Sequence, residues 1–187
     1  MNPYQEHLNR HSDIREHLGL LHGLAASDYV DQVVELGFRT GVSAAAFLAA
    51  GVKLHSVDII ACKSHVQHLA KVYPDTFVFK CADSRECDIP ECDLLFIDTD
   101  HTYATTLAEL ERHEDRVSKW IVLHDTVSFG RKDRPPGKGA GVLTAIAHFL
   151  TPPHAGISFA VMPGDNWRLL LHLPNNNGLT ILERRIE

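Results

Sequence analysis

Short apolar runs that alternate with helix-length segments constrain this chain more than any other feature. Val33-Val34-Glu35-Leu36, Lys53–Asp58, Thr76–Lys80, Asp93–Asp98 and Trp120–Leu123 each read as a strand. Between them lie segments with helical patterning. Ser43–Ala50 is alanine-rich and closed by Gly51; the others are 62–72, 102–116 with Tyr103, Leu107, Leu110 and Val117 on one face, and a stretch near 140–150. Leu94-Leu95-Phe96-Ile97 has no polar alternation, which suits a strand covered on both faces. Repetition of this kind predicts an α/β fold, a doubly wound and mostly parallel sheet with helices on both faces. The ending differs. Runs at 157–162, 167–173 and 179–184 are joined by Pro163-Gly164-Asp165-Asn166 and by Pro174–Gly178, so antiparallel strands are expected at one edge.

The chain has 187 residues, which predicts one domain, 1–187. Within it an N-terminal helical segment (1–27) precedes a core (28–150) and C-terminal strands (151–187). Ser12-Asp13 ahead of Ile14, Leu18, Leu21 and Leu24 reads as a capped opening helix. No apolar run is long enough to span a membrane, and the first residues lack the basic-then-apolar pattern of a signal peptide. A cytoplasmic protein without a membrane partner is therefore expected. Lys and Arg number 18 against 24 Asp and Glu, a formal charge of -6, which argues against nucleic acid as a partner. Cys62, Cys81, Cys87 and Cys92 contain no C-x-x-C spacing, so reduced thiols are expected rather than a zinc ribbon.

The densest chemical signal is Glu35-Leu36-Gly37-Phe38-Arg39-Thr40-Gly41-Val42-Ser43, lying directly between the first strand and a helix. Gly37 supplies a turn through which backbone passes close to a ligand. Gly41 opens a helix whose free N–H groups favour an anionic group. The third glycine of the dinucleotide fingerprint is missing, which disfavours a nicotinamide cofactor. Asp58 ends the second strand, where ligands bind in open parallel sheets, and is placed to accept both hydroxyls of a ribose. Asp83, just past the third strand, would reach the adenine side of the same crevice.

These segments, together with Ile97-Asp98-Thr99-Asp100-His101-Thr102-Tyr103, resemble the class I S-adenosylmethionine-dependent methyltransferases, whose fold is Rossmann-like. Leu123-His124-Asp125-Thr126 is similar to the small-molecule O-methyltransferase branch related to sugar and cephalosporin-pathway enzymes. Gly141-Val142, Ala145-Ile146 with Phe149, Asn177–Leu182, and Ser12-Asp13-Ile14 with His17-Leu18 extend the likeness over about residues 12–184. The resemblance implies S-adenosyl-L-methionine as cofactor, held by Glu35, Gly37, Phe38, Gly41, Ser43, Asp58, Ile59, Asp83, Ser84 and Asp98. Glu35 either fastens a cofactor-contacting loop or meets the methionine amino group.

Asp98 and Asp125 end neighbouring strands, and carboxylates gathered there repel one another unless a divalent cation relieves them. The expected metal set is Asp98, His124 and Asp125, with magnesium the leading ion. Asp100 is placed as general base toward an acceptor hydroxyl, with His101 and His124 as further catalytic candidates. The resemblance assigns an acidic residue where this chain has His124, so His124 is read as ligand, as base, or as a hydrogen-bond partner of Asp98. Asp100 also reads as a helix cap. His65 and His68 read as a solvated helix face.

Arg131–Lys138 is a basic, proline-stiffened loop placed either to gate the site toward an anionic acceptor or simply to be solvated. The partner expected overall is a small hydroxylated molecule, sugar-like or a secondary metabolite, with a homo-oligomer completing the acceptor site. Two alternatives remain at this level: a metal-dependent glycosyltransferase using Asp98-Thr99-Asp100, and a non-catalytic S-adenosylmethionine-binding module.

Overall fold

The computed structural model describes residues 2–60, 62–133, 139–151 and 166–185. The run 157–162, the turn residues 163–165 and residues 134–138 of the basic loop lie outside them. Seven strands form one sheet: β1 (Gln32–Leu36), β2 (Lys53–Asp58), β3 (Phe77–Cys81), β4 (Cys92–Ile97), β5 (Val117–His124), β6 (Trp167–Leu173) and β7 (Leu179–Arg184). The helices are α1 (Pro3–Leu8), α2 (Leu18–Ala25), α3 (Val42–Ala49), α4 (Lys63–Val72), α5 (Tyr103–His113) and α6 (Val142–Leu150).

The spatial order is β3-β2-β1-β4-β5-β7-β6. Pairings among the first five are parallel, while β7 runs antiparallel to both β5 and β6. The antiparallel edge therefore holds, and β7 inserts between β5 and β6. Burial explains the insertion. β7 is buried over its first four residues, whereas β6 exposes Leu169, Leu170 and Leu171 and can only be an edge.

Side-chain alternation along the strands feeds two cores. Val33, Leu54, Leu94 and Phe96 pack with Leu18, Leu21, Phe47 and Leu69 from α2, α3 and α4 on one face. Val34, Leu36, Leu95, Ile97 and Leu123 pack with Leu110, Ile146 and Phe149 from α5 and α6 on the other. Covering both faces removes the polar alternation from β4, because each face contributes roughly 1.5–3 kcal/mol per fully buried large side chain.

Two local expectations change. The opening helix is not capped by Ser12 or Asp13: a 3-10 turn at Arg15–His17 leads into α2, and Ser12 Oγ is buried without a partner. Asp13 is engaged elsewhere, its carboxylate with Arg39 (2.7 Å) and its carbonyl with the Asn176 side chain. α1 is additional, capped by Asn2 Oδ1 accepting from Gln5 N (2.9 Å) with Pro3 at its first turn. Val117 belongs to β5 rather than to the helix before it. The four cysteines are free. Among the described residues no helix is long and apolar enough to cross a membrane.

Register aligns the carboxyl ends of the strands. Leu36 pairs with Val57 and Ile97, and Ile97 with Leu123, so Gly37, Asp58, Asp98 and His124 emerge along one edge. The winding direction reverses between β1 and β4, which opens a crevice there.

Candidate functional site

A cleft of about 420 Å³ opens at that crevice, within the usual size for a small-ligand site. Gly37 shapes its floor. Its φ is +96°, and a Cβ there would lie 2.1 Å from the Asp98 carbonyl oxygen, so only glycine lets β1 pass this close to β4. Asp58 stands on one wall, its two carboxylate oxygens accepting from Arg39 N (2.8 Å) and Ile60 N (2.9 Å). One carboxylate thereby fixes both the loop after β1 and the loop after β2. Ile59 is 64% exposed beside it and offers an apolar lip.

Asp83, Ser84, Asp98 and Asp100 also line this cleft. Asp83 is held by Arg85 through Nε (3.0 Å) and Nη2 (2.6 Å), and the guanidinium pulls its pKa down to about 2. Asp100 is not a helix cap: that place belongs to Thr102, whose side chain accepts from Thr105 N. Instead Asp100 accepts from Thr102 N (3.3 Å), Thr102 Oγ1 (3.1 Å) and Thr105 Oγ1 (3.2 Å), which fixes its orientation.

Four expected cofactor residues, Glu35, Phe38, Gly41 and Ser43, do not line this cleft. Glu35 is fully buried behind the loop, accepting from Ser43 Oγ and Ser56 Oγ, both at 2.5 Å. Burial pushes its pKa up to about 7 against the pull of those hydroxyls. Of its two readings, the geometry is that of a brace tying β1, β2 and α3 together. Phe38 is buried against Phe77 and Phe79. Gly41, with φ +76°, faces the Phe38 ring and Leu69 rather than the main cleft.

The second constellation adjoins the cleft at Asp98. His101 Nε2 is 2.9 Å from Asp125 Oδ2 and 3.9 Å from Asp98 Oδ1, and its ring stacks on Phe129. His124 Nδ1 lies 3.4 Å from Asp98 Oδ1 and 3.7 Å from Asp125 Oδ2. Its Nε2 lies 3.2 Å from the Asn176 carbonyl oxygen, so Nε2 is the donor. His101 and Asp125 both have φ +57°, a left-handed conformation costing roughly 1–2 kcal/mol at a non-glycine residue. Burial pushes the Asp125 carboxyl up, but His101 and His124 outweigh it and hold the group below its ordinary value. For His124 burial pushes down, and Asp98 with Asp125 wins, leaving the imidazole above its ordinary value.

Asp98, His101 and Asp125 each offer a ligand atom, all within 4.8 Å of one another. The structure thus adds His101 to the carboxylate pair, while His124, the nitrogen to which the sequence pointed, keeps its Nδ1 3.4 and 3.7 Å from the same two groups. Asp125 Oδ1 is buried and makes no hydrogen bond, as an oxygen reserved for a cation would be.

Sequence reasoning missed Arg39 and Glu109. Arg39 joins Asp58 through its backbone and Asp13 through its guanidinium. Glu109 is fully buried under the cleft, accepting from Ser84 Oγ (2.5 Å) and Thr99 Oγ1 (3.0 Å). Burial pushes its pKa up to about 8. The available signal was its place on the same face of α5 as Thr105, Thr106 and His113, all buried.

Residues 34–126 match the profile of a family described as a methyltransferase domain. No curated protein matches the sequence. Among solved structures, S-adenosylhomocysteine-bound methyltransferase PaMTH1 of Podospora anserina superposes with a TM-score of 0.68 at 14% identity, covering 98% of this chain and 86% of that one. N-methyltransferase NodS of Bradyrhizobium japonicum, also with S-adenosylhomocysteine, gives 0.65 at 13% identity and 100% of both chains. The O-methyltransferase TomG of Streptomyces achromogenes, from tomaymycin synthesis and with S-adenosylmethionine bound, gives 0.63 at 15% identity, covering 100% of this chain and 91% of that one.

Proposed function

We propose that the chain, whose residues 34–126 match the methyltransferase-domain family, is an S-adenosylmethionine-dependent methyltransferase that methylates a hydroxyl oxygen of a small molecule with the help of a divalent cation. The observation that carries this reading is Asp98, which lines the cleft and also sits against His101 and His124. A donor site and an acceptor-activating site thus meet at one carboxylate.

The residues suit both groups. Gly37 leaves a cradle that any Cβ would fill, and Asp58 presents a carboxylate to a ribose beside the apolar lip of Ile59. S-adenosylmethionine, when bound, supplies an electrophilic methyl group on a sulfonium sulfur. Asp98, His101 and Asp125 would hold the cation, with His124 behind Asp98; a cation there lowers the pKa of an acceptor hydroxyl. Two carboxylates and an imidazole suit manganese or another borderline ion at least as well as magnesium.

Asp100 takes the acceptor's proton in this reading. Thr102 and Thr105 hold its carboxylate toward the cleft, so little reorientation is needed when a hydroxyl arrives. The same engagement disfavours the sugar-nucleotide alternative, in which Asp100 would turn to a pyrophosphate-bound cation. His124 keeps Asp98 in place from behind, anchored in turn by the Asn176 carbonyl.

Calorimetric titration with S-adenosylhomocysteine tests the cofactor half: saturable binding at one site per chain is expected, and no heat overturns it. Methyl transfer to a panel of hydroxylated acceptors, run before and after chelation and with manganese or magnesium restored, tests the other half. Full activity after chelation would remove the cation from the proposal.

A further inference from the structure

A second pocket, of about 270 Å³, lies where α1 meets the start of α4. Its ionisable lining is Glu6, His7, Arg10, His65 and His68: one carboxylate balanced by one guanidinium, with three imidazoles that add positive charge when protonated. Thr40 and Ser64 add hydroxyls. The Arg10 guanidinium approaches Glu6 only to 3.8 Å, beyond hydrogen-bond length, so its donors remain available to a ligand. α4 begins after Cys62 without a side-chain cap; the His65 and Val66 amides bond the Cys62 carbonyl, which leaves those of Lys63 and Ser64 without a helical partner. These donors come from several directions, which suits a tetrahedral oxyanion better than a planar carboxylate.

The pocket is not isolated. A space of about 290 Å³ beside it shares His7, Arg10 and His65 with it and also touches Gly37 and Asp98 of the main cleft. We propose that this pocket is an oxyanion site that receives the phosphate group of a phosphorylated acceptor whose hydroxyl faces Asp98; this names the acceptor class and rests on the methyl-transfer reading above.

Electrostatics agrees with the geometry. His7 is half-buried, and burial, Arg10, His65 and His68 all push its pKa down against Glu6 alone. Cys62 Sγ lies 2.8 Å from His65 Nδ1, and His11 and Asp13 line the adjoining space. An arriving dianion would offset the mutual repulsion and draw protons onto the imidazoles, so binding should tighten as pH falls.

Calorimetry with inorganic phosphate, glucose 6-phosphate and S-adenosylhomocysteine tests this on the full chain and on His65→Gln/His68→Gln. Both positions are solvent-exposed, so the variant should fold, and its retained S-adenosylhomocysteine affinity would show that it has. Saturable phosphate binding that weakens about tenfold or more in the variant supports the site. Sulfate, whose charge is constant, should bind more tightly at about pH 6 than at about pH 8. Absence of saturable phosphate binding, or equal binding by the variant, overturns the site while leaving the methyl-transfer reading intact. Glucose 6-phosphate binding more weakly than free phosphate overturns the acceptor assignment. Failure of the wild-type chain to bind S-adenosylhomocysteine overturns the methyl-transfer reading instead, and the acceptor assignment with it.

Discussion

Glu109 shows how much a single buried group can govern at this site. Its carboxyl lies under the cleft and links Ser84, after β3, to Thr99, after β4. With a folded pKa near 8 against an ordinary 4.5, the folded chain holds a proton on Glu109 that the unfolded chain has already released. Stability from this group is complete below about pH 4.5 and falls as pH rises toward about 8, since the folded state then binds the extra proton. Glu109→Gln keeps the shape and hydrogen bonding of the neutral acid. Near pH 5 the variant and the wild type should therefore unfold at similar denaturant concentrations. Above about pH 8 the variant should be the more stable, by up to about 5 kcal/mol at the linkage rate of ~1.4 kcal/mol per pKa unit. Parallel pH–stability curves for the two proteins would show that Glu109 is ionised in the folded chain throughout. Glu35, raised to about 7, should behave the same way over a narrower window ending near neutrality.

At the scale of elements, the β1–α3 turn depends on one glycine and its neighbours. Gly37 and Gly51 both have positive φ, but a Cβ at Gly37 meets the backbone of Asp98 while one at Gly51 meets nothing within 4 Å. Gly51→Ala should cost about 1 kcal/mol, the left-handed penalty alone. Gly37→Ala must also push β1 and β4 apart at the crevice, and should cost about 3 kcal/mol or more with loss of S-adenosylhomocysteine binding. Equal costs in denaturant titrations would mean that the close approach at Asp98 is not tight. The same contrast explains what the sequence could reveal. β2, β6 and β7 have the bounds their patterns predict, and the β1 turn is legible because glycine and strand apolarity are local signals. β5 begins at Val117, earlier than its apolar run, because Ser118 and Lys119 do not read as strand; Ser118 Oγ is held there by Asp93 (2.7 Å), a contact made across the sheet. The missing cap at Ser12-Asp13 has the same origin, since Arg39 and Asn176 claim Asp13 from distant parts of the chain. Bringing His101 to the carboxylate pair beside His124 likewise needs the left-handed backbone at His101, which nothing in its sequence neighbourhood announces.

For the whole molecule, the proposed reading sets two ligand sites side by side along the sheet edge, with Asp98 common to both. In that reading the cofactor half rests on β1 to β3 through Gly37 and Asp58, and the cation half on β4 and β5 through His101 and Asp125. A ligand that binds only the folded chain raises its stability by about 2.7 kcal/mol at roughly one hundred times its Kd, which for a chain of this size shifts Tm by roughly 5–10 °C. S-adenosylhomocysteine and manganese should each produce such a shift in the wild-type protein, and each should do so without the other. Asp58→Asn should abolish the first shift and keep the second, because it removes the anchor of both loops around the ribose position but touches nothing at Asp125. Asp125→Asn should do the reverse. Asp98→Asn should weaken both, and this shared loss is what distinguishes one continuous crevice from two unrelated sites. If Asp98→Asn diminished only the manganese shift, the carboxylate would belong to the cation half alone. The methyl donor and the activated acceptor would then have to be brought together by something other than this residue.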